Sequence, residues 1–120
     1  MKNTIIIKKN YEFKSLFSKG KFYYGENIHF YIKTTQTSKN KFGIAISGKQ
    51  GKAVHRNRIK RLIRENYKEI EKEIQQGTQI LIVVNRKKDL KAITFYEIQE
   101  DFYRTLKKAN VLVEIVWKRF

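Results

Sequence analysis

The stretch Gly48-Lys49-Gln50-Gly51-Lys52-Ala53-Val54-His55-Arg56-Asn57-Arg58-Ile59-Lys60-Arg61-Leu62-Ile63-Arg64-Glu65 demands two things at once, a helix and a partner. Read on towards position 76, Ile59, Leu62, Ile63, Tyr67, Ile70 and Ile74 fall on one stripe at the 3.6-residue period. This predicts a helix over 54–76 with its apolar stripe against a sheet. At about 100° per residue, Asn57, Lys60, Arg61, Arg64 and Lys68 project from the opposite side. The quoted stretch holds seven Lys or Arg against one acid, and Arg outnumbers Lys there although Lys is the commoner cation of the chain. The planar guanidinium grips phosphate bidentately and stacks on bases, so the local switch points to nucleic acid. A helix N-terminus adds unpaired N–H groups and positive potential, and Gly51 lets the preceding backbone approach closely.

Outward from this helix the chain alternates in period. Asn10 is placed to cap a helix over 10–19 that carries Phe13, Leu16 and Phe17, with Gly20 as a left-handed stop. Residues 22–24 and 28–33 read as strands, the second with Ile28, Phe30 and Ile32 on one face. A polar loop over 34–40 leads to a strand at 41–47, broken by Gly48 and Gly51. After Gly77, the apolar run 79–84 reads as a central strand covered on both sides. A helix near 94–109 carries Phe95, Ile98, Phe102 and Leu106, and 111–116 reads as a short closing strand. The expected fold is an α/β (α+β) two-layer sandwich of about four strands and three helices, in the order α-β-β-β-α-β-α. No repeat or linker divides it, so residues 1–120 read as a single domain.

The 120 residues suffice for one core, and 41% apolar content lets it fold unaided. Against this stand 27 basic and 11 acidic residues, a net charge of +16. Residues 1–64 hold 16 basic and 2 acidic side chains and residues 65–120 hold 11 and 9, so the halves carry +14 and +2. A generic Lys-rich exterior has no reason to segregate its acids, whereas a face laid on phosphate must exclude them. Nine of the fifteen Phe and Tyr residues lie within 11–42, in the same basic half. Aromatic faces beside a cationic groove are what single-stranded RNA requires, although Phe30 and Phe42 read as core.

Zero cysteines exclude a disulfide framework and a thiolate nucleophile and fit a reducing compartment. No apolar run approaches a membrane span and the start does not read as a signal peptide, so the expected location is cytoplasmic. A protein nuclease needs paired acid and base groups or a carboxylate cluster. His29, His55, Glu12, Glu26 and the alternating Glu69, Glu71 and Glu73 assemble neither, which leaves the protein with no catalytic residue.

The pattern Lys49-x-Gly51-x-Ala53-Val54-x-Arg56-Asn57-x-x-Lys60-Arg61-x-x-Arg64 resembles the arginine-asparagine-arginine signature helix of the protein subunit of bacterial ribonuclease P. Phe13, Phe17 and Gly20 look like that family's aromatic first helix, Tyr31 like its strand aromatic, and Arg86 like its basic residue after the fourth strand. The likeness spans about residues 8–109. Gly48 and Ile5-Ile6-Ile7 depart from it, standing where many members are more basic. The resemblance implies one protein bound to one catalytic RNA, through Lys49, Lys52, Arg56, Asn57, Arg58, Lys60, Arg61, Arg64 and Arg86. It implies a cleft for the 5′ leader of precursor tRNA lined by Phe13, Phe17, Tyr31, Arg56, Asn57 and Lys60. Cleavage then belongs to the RNA, with Mg²⁺ bound mainly through it. It also implies a left-handed βαβ crossover, against the general handedness rule. Two other readings stand beside this one: a ribosomal or other structural RNA-packing protein, and an independent nuclease using His29 or His55.

Overall fold

In the computed structural model, which describes residues 3–113, five strands form one sheet in the order β1-β4-β5-β3-β2. The strands are β1 (Thr4–Ile6), β2 (Lys21–Tyr23), β3 (Ile28–Thr34), β4 (Asn40–Ala45) and β5 (Thr78–Val84). The helices are α1 (Asn10–Lys19), α2 (Ala53–Ile70) and α3 (Phe95–Lys108). β5 pairs in parallel with β4 and antiparallel with β3, so it is the central strand its apolar run predicts. The helix α2 is the crossover of the parallel β4–β5 pair. Among the described residues no helix is long and apolar enough to cross a membrane.

The two-residue period divides the side chains between the faces. Ile28, Phe30 and Ile32 of β3, Phe42 of β4, and Ile80, Ile82 and Val84 of β5 meet Ile59, Leu62, Ile63, Tyr67 and Ile70 of α2. Ile98, Phe102 and Leu106 of α3 complete this core. On the opposite face the buried apolar set shrinks to Ile7, Leu16 and Leu81 beneath α1. Phe30 stands edge-on to Phe102 at 5.3 Å and Phe42 stacks on Tyr67 at 4.1 Å, so both are core rings as expected. Burial pushes the Tyr67 hydroxyl up to about 12, and that hydroxyl shares a 2.9 Å hydrogen bond with Thr4.

Four expectations change. The sheet has five strands, because Thr4–Ile6 adds to β4 in parallel, with Ile7 entering the smaller core. Asn10 begins α1 rather than capping it: the cap position is Lys9, with no side-chain hydrogen bond. Gly20 is not left-handed, at φ −74°; it is needed because a Cβ there would stand 2.6 Å from the Leu16 carbonyl oxygen. The long helix stops at Ile70 and a 3-10 turn over Glu71–Glu73 follows, before the left-handed Gly77 at φ +85° feeds β5. Of the closing segment, Leu112 forms an isolated antiparallel bridge with Ile74 where a strand was expected, and positions 114–116 lie outside the described residues.

Candidate nucleic-acid interface

Because β1 ends at Ile6, opposite Phe42, the upper part of β4 has no pairing strand on its outer side among the described residues. There α1 and α2 approach the same strand from opposite faces. The gap is a cleft of about 350 Å³ lined by Phe13, Lys14 and Phe17 of α1, Ile44, Ala45 and Ile46, and Lys60 of α2. A smaller hollow of about 140 Å³ continues along Phe42 and Gly43 to Lys60 and Arg64. Phe13 forms the floor: it packs on Gly43, where a Cβ would lie 3.2 Å from its ring. The position of α1 is held by Glu12, whose carboxylate pairs with the Lys41 ammonium at 2.8 Å. That hydrogen bond holds the Glu12 carboxyl below its usual range.

Phe17 is 45% exposed and stands edge-on to Tyr31 of β3 at 4.9 Å. The three predicted leader aromatics are therefore brought together, one as floor and two as an accessible pair. Sequence reasoning missed that the rings do not end there. Phe22 lies opposite Tyr31 in the β2–β3 register, 5.2 Å away, and Phe22, His29 and Tyr24 continue the row. The signal was present in the alternation of Phe22 and Tyr24, but it becomes legible only once the hairpin register is known.

The cations separate into groups. Asn57, Arg61 and Arg64 are exposed on the outer side of α2, and Lys60 is half-buried where α2 meets the cleft. Arg61 has only a long, exposed contact with Glu65, at 3.9 Å. Arg56 folds back and donates to the Gly51 carbonyl at 2.7 Å, closing the loop that enters α2. Gly51 has φ +63°, the left-handed conformation that favours glycine. Arg58 is placed differently: its guanidinium donates to the carbonyls of Leu90 at 3.2 Å and Ile93 at 2.9 Å, tying the β5–α3 connection to α2. It is apart from the exposed row, although the resemblance placed it among the residues that bind the catalytic RNA.

At its N-terminus α2 has no side-chain cap and no acid in the first turn, so its free N–H groups and positive end are available to an anion. A concavity of about 320 Å³ beside it is lined by Lys52, His55, Lys88 and Lys91, with Asp89 as its one acid. Lys49 and Arg86 are exposed on the neighbouring loops. Among the described residues no three His, Asp or Glu side chains gather into a group that could hold a metal ion.

A cationic cleft floored by aromatic rings, at one edge of an α+β sandwich, belongs to the class of sites that take single-stranded nucleic acid. Comparison with known proteins narrows the class. Residues 1–110 match the family model described as Ribonuclease P. The chain is 33% identical over 106 residues to the ribonuclease P protein component of Clostridium botulinum, covering 88% of this chain and 94% of that one. It is 34% identical over 113 residues to the Listeria innocua protein, covering 93% of each. The solved structure of the Staphylococcus aureus RNase P protein superposes with a TM-score of 0.77 at 32% identity, over 90% of this chain and 97% of that one. The chain belongs to the family of ribonuclease P protein components.

Proposed function

We propose that this chain, a ribonuclease P protein subunit serving tRNA 5′-end maturation, is the non-catalytic partner that grips two RNAs at once. The catalytic RNA docks on the outer side of α2 and on the loops at its N-terminus, through Lys49, Lys52, Arg61, Arg64 and Arg86. The 5′ leader of precursor tRNA lies in the cleft, against Phe13, Phe17 and Tyr31, with Lys60 supplying charge at its edge. Arg56 and Asn57 sit between the two surfaces, at the start of α2. One protein binds one RNA, and the hydrolysis is carried out by that RNA.

The observation that carries this reading is the cleft itself, where Phe17 stays 45% exposed beside a positively charged wall formed by Lys14 and Lys60. Exposed rings of this size beside cations are what base stacking and phosphate neutralisation require. The lining supplies positive groups rather than carboxylate oxygens, so it does not fit Mg²⁺, and the ion is assigned to the RNA phosphates. A structural RNA-packing role has no comparable need for a ring-lined cleft beside the docking helix.

To test the reading, the purified chain is added to ribonuclease P RNA at limiting Mg²⁺ and leader removal is measured. Enhanced cleavage by RNA plus protein, with none by protein alone, is the expected result. Cleavage by protein alone that disappears in His29→Ala or His55→Ala would establish the nuclease reading instead.

A further inference from the structure

The leader cleft accounts for Phe13, Phe17 and Tyr31 but leaves the most exposed rings of the same sheet face without a task. Phe22 is 49% and Tyr24 67% exposed, both from the short edge strand β2 and the turn after it. They are not scattered. From Phe17 the row passes to Tyr31 at 4.9 Å, to Phe22 at 5.2 Å, to His29 at 5.6 Å and to Tyr24 at 4.9 Å. The path leads away from Lys60 and α2, across the sheet to its β2 edge.

The end of this row is held in place. The Asp101 carboxylate of α3, 1% exposed, accepts the backbone N–H groups of Glu26 at 3.3 Å, Asn27 at 2.9 Å and Ile28 at 3.3 Å. These three bonds pin the turn between Tyr24 and β3 to the helix beneath. Gly25 then donates its N–H to His29 Nδ1 at 3.3 Å, which places the imidazole proton on Nε2. An aromatic ring with a fixed N–H donor both stacks on a base and offers a hydrogen bond to its edge.

Charge decides the kind of occupant. The half of the chain that contains this row carries +14. Its exposed acid, Glu26, is paired with Lys88 at 3.1 Å, and Asp101 is buried against Arg104 at 3.5 Å. A strand of phosphates meets no bare carboxylate from either. We propose that Phe22, His29 and Tyr24 form a second stacking subsite for single-stranded RNA, which takes leader nucleotides farther from the tRNA than those in the cleft. This rests on the leader-binding reading and extends it: the chain senses leader length as well as leader presence.

The experiment uses the reconstituted holoenzyme and precursor tRNAs whose leaders are lengthened one nucleotide at a time, with equilibrium affinity measured for each. Wild type is expected to gain affinity in two stages, first as the cleft fills and again as the leader reaches β2. The double variant Phe22→Ala/Tyr24→Ala keeps the first stage and loses the second, about tenfold for one base stack lost. Phe17→Ala weakens the first stage. Phe22→Trp, which keeps a stacking face at the same place, retains the second stage and shows that folding is not the cause. Curves for the double variant that overlie wild type at every length would overturn the proposal while leaving the cleft intact. A wild-type affinity that never depends on leader length would overturn the leader reading, and the subsite with it.

Discussion

The two faces of the sheet are built from alternate residues of the same strands, yet only one of them is finished. On the α2–α3 face, Phe30, Phe42, Ile80 and Ile82 are covered by two helices and none is more than 1% exposed. On the other face a single ten-residue helix covers Leu81 and leaves Tyr31, His29 and Val83 only partly covered. A chain that could build the first face could have closed the second. The difference assigns stability to one side and binding to the other, and substitutions should separate the two.

The largest effect is expected on the finished face. Phe30→Ala removes a ring packed edge-on to Phe102 and should cost about 3–5 kcal/mol of stability, read as a lowered midpoint in urea unfolding. Phe17→Ala, on the unfinished face, should leave that midpoint nearly unchanged and weaken leader-bearing substrate by about 1–3 kcal/mol. If both variants lose stability alike, the faces do not differ as described.

Within α2 the comparison sharpens between neighbouring arginines. Arg58→Ala strands the carbonyls of Leu90 and Ile93 and should destabilise the protein by about 1–3 kcal/mol with little change in the salt dependence of RNA binding. Arg64→Ala should do the reverse, lowering the slope of log affinity against log salt by about 0.7–0.9 for one lost phosphate contact. An Arg58→Ala protein of wild-type stability and reduced slope would put that side chain on the RNA.

The smallest effect is on pH dependence. Burial lowers the His29 pKa from 6.5, with the Asp101 carboxylate opposing it. The unfolded chain therefore takes up the proton more readily than the folded one. The stability this provides is complete above 6.5 and is lost as pH falls through the lower, folded value. Melting temperatures from pH 8 to 5 should decline more for wild type than for His29→Phe, whereas parallel curves would show that burial of the imidazole is not felt.

Much of this was legible in the sequence because it depends on local period. The stripe of Ile59, Leu62, Ile63 and Tyr67 located α2 and its buried side, and the run at 79–84 located the central strand. What escaped depends on contacts between distant positions. Ile5 and Ile6 show no alternation, and only pairing with Lys41 and Phe42 makes them a strand. Arg58 lies in a cationic run like its neighbours, and only the carbonyls of the loop at 90–93 distinguish it. Phe22 and Tyr24 looked like strand residues alone until the hairpin register set them against Tyr31 and His29.

The central claim is that the unfinished face holds the leader, and the most direct test is one ratio. The holoenzyme's affinity for leader-bearing precursor tRNA is divided by its affinity for mature tRNA, for wild type and for Phe17→Ala. The account predicts a wild-type ratio well above one that falls towards one in the variant. An identical ratio in the two proteins would contradict it.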